Sequence, residues 1–161
     1  MNSFLIKLKS QKKLELVERS EEMYLSYLIK SENCLKSAKV LLSSSLYENS
    51  VIDSYYSMYN CLLALFFKCG IKCENHAGSI ILLDEVFSLH ELSKILKEAK
   101  RSRLDSQYYI LDAKEEVDQN MTRKSIIISE DFILKLKSFA QRIKQSEIEQ
   151  IRELLSKMGK K

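Results

Sequence analysis

"SVIDSYYSMYNCLLALFFKCG", residues 50–70, sets Val51, Ile52, Tyr55, Tyr56, Met58, Tyr59, Leu62, Leu63, Leu65, Phe66 and Phe67 almost all the way round one helix. A helix apolar on every side is buried on every side. This one is therefore either the central element of a bundle, or it faces its own core on one side and another subunit on the other. Gly70 marks its end, in the manner of a left-handed glycine that closes a helix. Asn49 or Ser50 is the expected N-cap.

Working outward, the apolar period stays close to 3.6. Tyr24, Leu28, Leu35, Ala38 and Leu42 recur at helical spacing and predict a helix over about 20–45, with a shorter one inside 4–18. "SSSLYENS" interrupts the pattern before the central helix. After the connection "IKCEN", Ile80, Ile81, Leu83, Val86 and Phe87 predict a helix over about 76–88. The next, about 90–105, has Leu92, Ile95, Leu96 and Ala99 on one face and Lys94, Lys97 and Arg101 on another. Residues 106–128 leave three readings open: an irregular loop, a short helix over 112–121, or a β-ribbon pairing "YYIL" with "SIII". Ser129, followed by acidic residues, predicts the cap of a long last helix carrying Phe132, Leu136, Phe139 and Ile143 and running on to Ile148, Ile151 and Leu155. The chain has no proline and only three glycines, so little breaks its helices. The expectation is an all-α, up-and-down helical bundle of four to five main helices. It forms a single domain over 1–161, with a core at about 20–145 and a basic helical tail at 146–161.

A chain of 161 residues can bury one core of ordinary size. Its 45% hydrophobic and 30% charged residues exclude a disordered chain. No window reaches the roughly 18 uninterrupted apolar residues of a membrane span. "MNSFLIKLKSQKK" lacks the apolar run of a signal peptide. The expected location is the cytoplasm, where Cys34, Cys61, Cys69 and Cys73 stay reduced. The net charge of +4 is concentrated at the end: residues 135–161 hold eight Lys or Arg against three Glu.

Cys69-x3-Cys73-x2-His76 has the ligand types that Zn²⁺ prefers, but a closed structural site takes four, supplied as two close pairs. Cys61 lies more than two helical turns upstream of Cys69, so the second pair is missing and no metal or cofactor is expected. Cys69 suits the role of a small apolar residue closing a core helix. Cys73 with His76 as a catalytic pair has no identifiable Asn or Asp to orient the base. Three scattered glycines cannot build a phosphate loop.

The same stretch read with its neighbours, "SVIDSYYSMYNCLLALFFKCGIKCENHAGSIILL", resembles the HEPN-domain proteins of prokaryotes. The resemblance rests on Tyr55-Tyr56, Tyr59, Ala64 and Gly70, then His76-Ala77-Gly78 opening the next helix, then Arg103 and Tyr108-Tyr109 in "RSRLDSQYY". It covers about residues 24–143. It implies a compact helical bundle that forms a homodimer and is often encoded beside a minimal nucleotidyltransferase as a toxin–antitoxin-like pair. Many members are metal-independent ribonucleases using Arg-x4-6-His. There the arginine stabilises charge on phosphate and the histidine moves protons. This sequence departs at that point: Arg103 is followed after four residues by Tyr108, and Arg101 by Ser, Gln and Tyr at 106–108. A tyrosine is a poor base at neutral pH. The reading adopted is a nucleotide- or RNA-binding partner of a nucleotidyltransferase, with Arg103, Tyr108, Lys97, Lys100 and Arg101 as candidate ligand contacts. The alternatives are a ribonuclease in which the fold brings His76 or His90 to Arg103, and a structural adaptor dimer without a ligand.

Overall fold

The structure, a computed structural model, describes residues 2–108 and 117–159, without the side chains of Gln107 and Tyr108. In chain order its elements are α1 (Ser3–Ser10), β1 (Leu14–Leu16), α2 (Glu21–Ser43), α3 (Tyr47–Cys69), β2 (Ile71–Cys73), α4 (His76–Glu85), α5 (His90–Tyr108), α6 (Gln119–Arg142) and α7 (Gln145–Lys157). The architecture is all-α, and the two short strands form a single antiparallel ribbon pairing Leu14 with Cys73 and Leu16 with Ile71. No helix among the described residues is long and apolar enough to cross a membrane.

The central position of α3 answers the question raised by its apolar surface. It packs against α2, α5 and α6. Tyr55, Met58, Leu62, Leu65 and Phe66 are at most 1% exposed within the single chain. The bundle itself covers this helix, so no second subunit is needed to bury these residues. Serines allow the close approach. Ser31 on α2 donates to the Ser57 carbonyl at 2.7 Å, Ser50 donates to the Ala38 carbonyl at 2.7 Å, and Ser129 on α6 donates to the Ser54 carbonyl at 3.1 Å. Each of these buried hydroxyls thereby finds a carbonyl acceptor without demanding side-chain volume.

Several boundaries differ from the sequence expectation. Helix α3 begins at Tyr47 after Leu46, which makes no side-chain cap, so neither Asn49 nor Ser50 caps it. Ser129 does not start a helix. Helix α6 starts ten residues earlier, at Gln119, where the Asp118 side chain accepts from the Met121 amide at 2.7 Å. Ser129 is buried in mid-helix and also bonds back to the Ser125 carbonyl. The "SIII" stretch, residues 125–128, is helical and cannot be half of a β-ribbon. Residues 109–116, which hold most of the other half and the start of the 112–121 alternative, lie outside the described residues.

The last helix is two helices. Ile143 and Lys144 are extended, and Glu147 accepts the Lys144 amide at 2.8 Å to start α7. Helix α7 is docked on the molecule. Ile148 and Leu155 are 2% exposed. Lys9 of α1 donates to the carbonyls of Leu155, Ser156 and Met158, which terminate α7. A cation here satisfies orphan carbonyls at the negative end of the helix dipole.

Candidate functional site

Five side chains, from α3, α4 and α5, converge from three separate stretches of the sequence. Asn75 caps α4 by accepting from the Gly78 amide at 2.9 Å, which sets His76 as the first helical residue. Gly78 is required by a neighbour: a Cβ there would collide with the Leu8 side chain of α1. His76 is thus held against the tyrosines of α3. Its ring stacks on Tyr59 with centroids 4.0 Å apart and an 8° interplanar angle. Tyr55 and the His76 Nδ1 share a hydrogen bond at 2.5 Å.

From α5, the Arg103 guanidinium lies 5.2 Å above the Tyr55 ring and 5.6 Å from the Tyr56 ring, and its Nη1 donates to the Tyr56 hydroxyl at 3.3 Å. Tyrosine faces attract a guanidinium and fix its orientation. The array therefore runs Tyr59, His76, Tyr55, Arg103.

Electrostatics set the charge states. Burial lowers the His76 pKa to about 4, and the positive charges of Arg103 and Lys100 push in the same direction. Burial, reinforced by Tyr59, raises the Tyr55 phenol well above its ordinary value. Tyr55 keeps its proton, so both groups are neutral near pH 7 and either can donate in their shared hydrogen bond. In the tautomer in which Tyr55 donates to Nδ1, the His76 imidazole carries its own proton on Nε2, and that nitrogen is a hydrogen-bond donor. Tyr59 is likewise raised by burial, to about 12, and shares a hydrogen bond with Ser79.

A neutral histidine trapped in the fold makes stability depend on acid. The unfolded chain takes up a proton near pH 6.5 and the folded chain only near 4, so stability falls as pH drops through that window. The half-buried ring is partly screened, and the loss assigned to it is about 1–2 kcal/mol. Urea titrations at pH 7.5 and 4.5 should show wild type losing that much more than His76→Gln. Equal losses in the two proteins would refute the assignment.

The other sequence candidates divide. Lys100 is half-buried and close enough to act on His76. Lys97 and Arg101 are exposed on the outer face of α5, away from the tyrosine array. The Tyr108 side chain lies outside the described residues. His90 cannot meet Arg103 within one chain: thirteen residues of the same helix separate them, about 20 Å at 1.5 Å per residue. His90 instead pairs with Asp84 at 2.7 Å. Burial raises the Cys73 thiol and raises Cys69 to about 11, so neither is a thiolate near neutrality. Among the described residues no three His, Cys, Asp or Glu side chains gather as a metal-binding group. Tyr55, Tyr56 and Tyr59 were missed as site residues. Their signal was the choice of tyrosine over phenylalanine in a buried helix, since a buried phenol needs a polar partner.

Beside the array lies a half-open cavity of about 270 Å³. The α3 side chains Tyr59, Leu63 and Phe67 line it, together with Tyr27 from α2, the β2 segment and His76.

The HEPN domain model matches residues 24–143, from within α2 to the end of α6. The UPF0332 protein glr0978 of Gloeobacter violaceus is 27% identical over 84 residues, covering 49% of this chain and 67% of that relative. The matched span carries Tyr55, His76 and Arg103 and the helices that bring them together, and on that match the chain belongs to the HEPN domain family.

Proposed function

We propose that this HEPN protein binds the phosphate of an RNA or nucleotide through Arg103, with His76 as a neutral donor beside it. The observation that carries this reading is the ordered array in which two tyrosines hold the guanidinium and one of them bonds His76. Arginine is the side chain best shaped for phosphate oxygens. Lys100 adds positive charge nearby.

The same geometry argues against cleavage as the main activity. A general base works best with a pKa near the working pH, and His76 titrates near 4. A second reading, metal-independent ribonuclease activity by His76 and Arg103, is favoured by their shared cluster alone. In keeping with the family, the protein acts in the cytoplasm as a homodimer and partner of a minimal nucleotidyltransferase in a toxin–antitoxin-like pair. Leu25, Ile29 and Val40 on α2, and Ile127 and Leu134 on α6, are the exposed apolar side chains a second copy would cover.

The test is the binding of a labelled single-stranded RNA between 50 and 200 mM salt, with cleavage scored in the same samples without metal. Arg103→Ala should weaken binding about tenfold or more and flatten the salt dependence, while the melting curve stays close to wild type. Strong cleavage lost in both Arg103→Ala and His76→Ala would establish the ribonuclease instead. Undetectable binding, together with unfolding of Arg103→Ala, would favour the adaptor dimer.

A further inference from the structure

We propose that the cavity beside His76 is a nucleobase subsite, in which one unstacked base lies among aromatic side chains while its phosphate reaches Arg103. The proposal rests on the phosphate-binding reading above and adds the ligand's second half.

Three observations carry it. First, the lining is aromatic on several sides. Tyr59, Leu63 and Phe67 recur at four-residue spacing along one face of α3, and Tyr27 of α2 stacks on Phe67 at 5.3 Å with an 11° interplanar angle. Tyr27, Leu63 and Phe67 are only half-buried, so this apolar surface meets solvent. Every base has a π-face, and stacking on such side chains is the general means of holding single-stranded nucleic acid.

Second, one border of the cavity is a strand edge. The ribbon bonds Val17 to Gly70 and Glu74 to Lys13. By antiparallel alternation, Ile71 and Cys73 turn their N–H and C=O groups away from β1. Both residues line the cavity. Ile71 and Cys73 are themselves buried, so they close this side of the cavity as an apolar border.

Third, His76 belongs to both places. It lines the cavity and bonds Tyr55, over which Arg103 sits. The cavity and the guanidinium are thus linked through one hydrogen-bonded pair, His76 and Tyr55. The charges around the cavity do not oppose an anion. Lys30 lies 5.6 Å from the Tyr27 ring, and the carboxylate present, Glu74, is paired with Lys72 at 2.7 Å.

The base could belong to a strand or to a free mononucleotide, and the experiment separates them. A short single-stranded RNA carrying 2-aminopurine reports stacking by loss of fluorescence, and AMP serves as a competitor. Wild type should quench the probe. Tyr27→Leu and Phe67→Leu should weaken binding about tenfold with an unchanged salt slope, since no charge is lost. Tyr27→Phe, which keeps the ring, should bind as wild type. An RNA of equal length without bases should bind wild type as weakly as the normal RNA binds the leucine variants. Displacement of the probe by micromolar AMP would assign the subsite to a free nucleotide, and failure to displace it to a strand.

Arg103-dependent RNA binding that the leucine substitutions leave unchanged would overturn the subsite and leave the phosphate reading intact. No binding by wild type at 50 mM salt would overturn both.

Discussion

Gly70→Ala is expected to cost about 4 kcal/mol and to lower the melting temperature by about 10 °C. Gly70 sits at φ +69° and ψ +44°, the left-handed conformation that closes α3. A side chain there costs about 1–2 kcal/mol before any neighbour is considered. The neighbours make it worse. A Cβ would lie 2.6 Å from the Val17 carbonyl oxygen and collide with Arg152 Nη1. That nitrogen donates to the carbonyls of Val17, Cys69 and Gly70 at 3.0, 3.0 and 2.7 Å. Displacing it strands acceptors that a charged donor had satisfied, worth a further ~1.5–3 kcal/mol. Arg152→Met should show the second contribution without the first, a loss of about 2 kcal/mol. Urea denaturation of the two variants measures both. A Gly70→Ala protein within 1 kcal/mol of wild type would mean that the α7 clamp and the left-handed turn do not constrain each other.

Phe66→Ala should be comparably severe, about 4 kcal/mol, from lost burial and the cavity left behind. Phe66 is 0% exposed and stacks on Phe87 at 5.7 Å, which in turn meets Phe139 edge-on at 6.3 Å. That chain of rings ties α3 to the end of α4 and to α6. The destabilisation should be the same at 2 and 50 μM protein, because the ring is buried inside one chain. A loss that shrinks as concentration rises would place Phe66 at a subunit interface and undo the account of α3 as a helix enclosed by its own bundle.

The pH, RNA-binding and 2-aminopurine experiments test the site rather than the scaffold, and the stability variants guard their interpretation. Tyr27 and Phe67 are half-buried, and Arg103 reaches the array from α5, so these positions can change with less damage than Gly70 or Phe66.

The fold was legible wherever a signal acts within a turn or two of chain. The all-round apolar surface of 50–70 marked the buried central helix. Gly70 marked its end, and the 3.6-residue period located α2, α4 and α5 to within a few residues. Local signals misled where a long-range contact used the same residue type. Ser129 with its acidic followers has the form of a cap, but its hydroxyl bonds the Ser125 and Ser54 carbonyls inside a helix already ten residues long. The isoleucines at 126–128 favour a strand by propensity, yet burial of Ile126 goes with a helix. Nothing in 146–161 by itself indicates that Lys9 terminates α7 or that Arg152 clamps Gly70.

The site was legible only as separate residues. Tyr55 and His76 are 21 positions apart, and Tyr56 and Arg103 are 47. No periodicity connects them. Their meeting depends on how α4 is seated by Gly78 against α1 and how α5 crosses α3. The lowered pKa of His76 follows from the same packing, because burial and the approach of Arg103 and Lys100 exist only once the helices are assembled. Backbone preferences and apolar period are short-range and are written in the chain, whereas desolvation and the convergence of charges belong to the packed molecule alone.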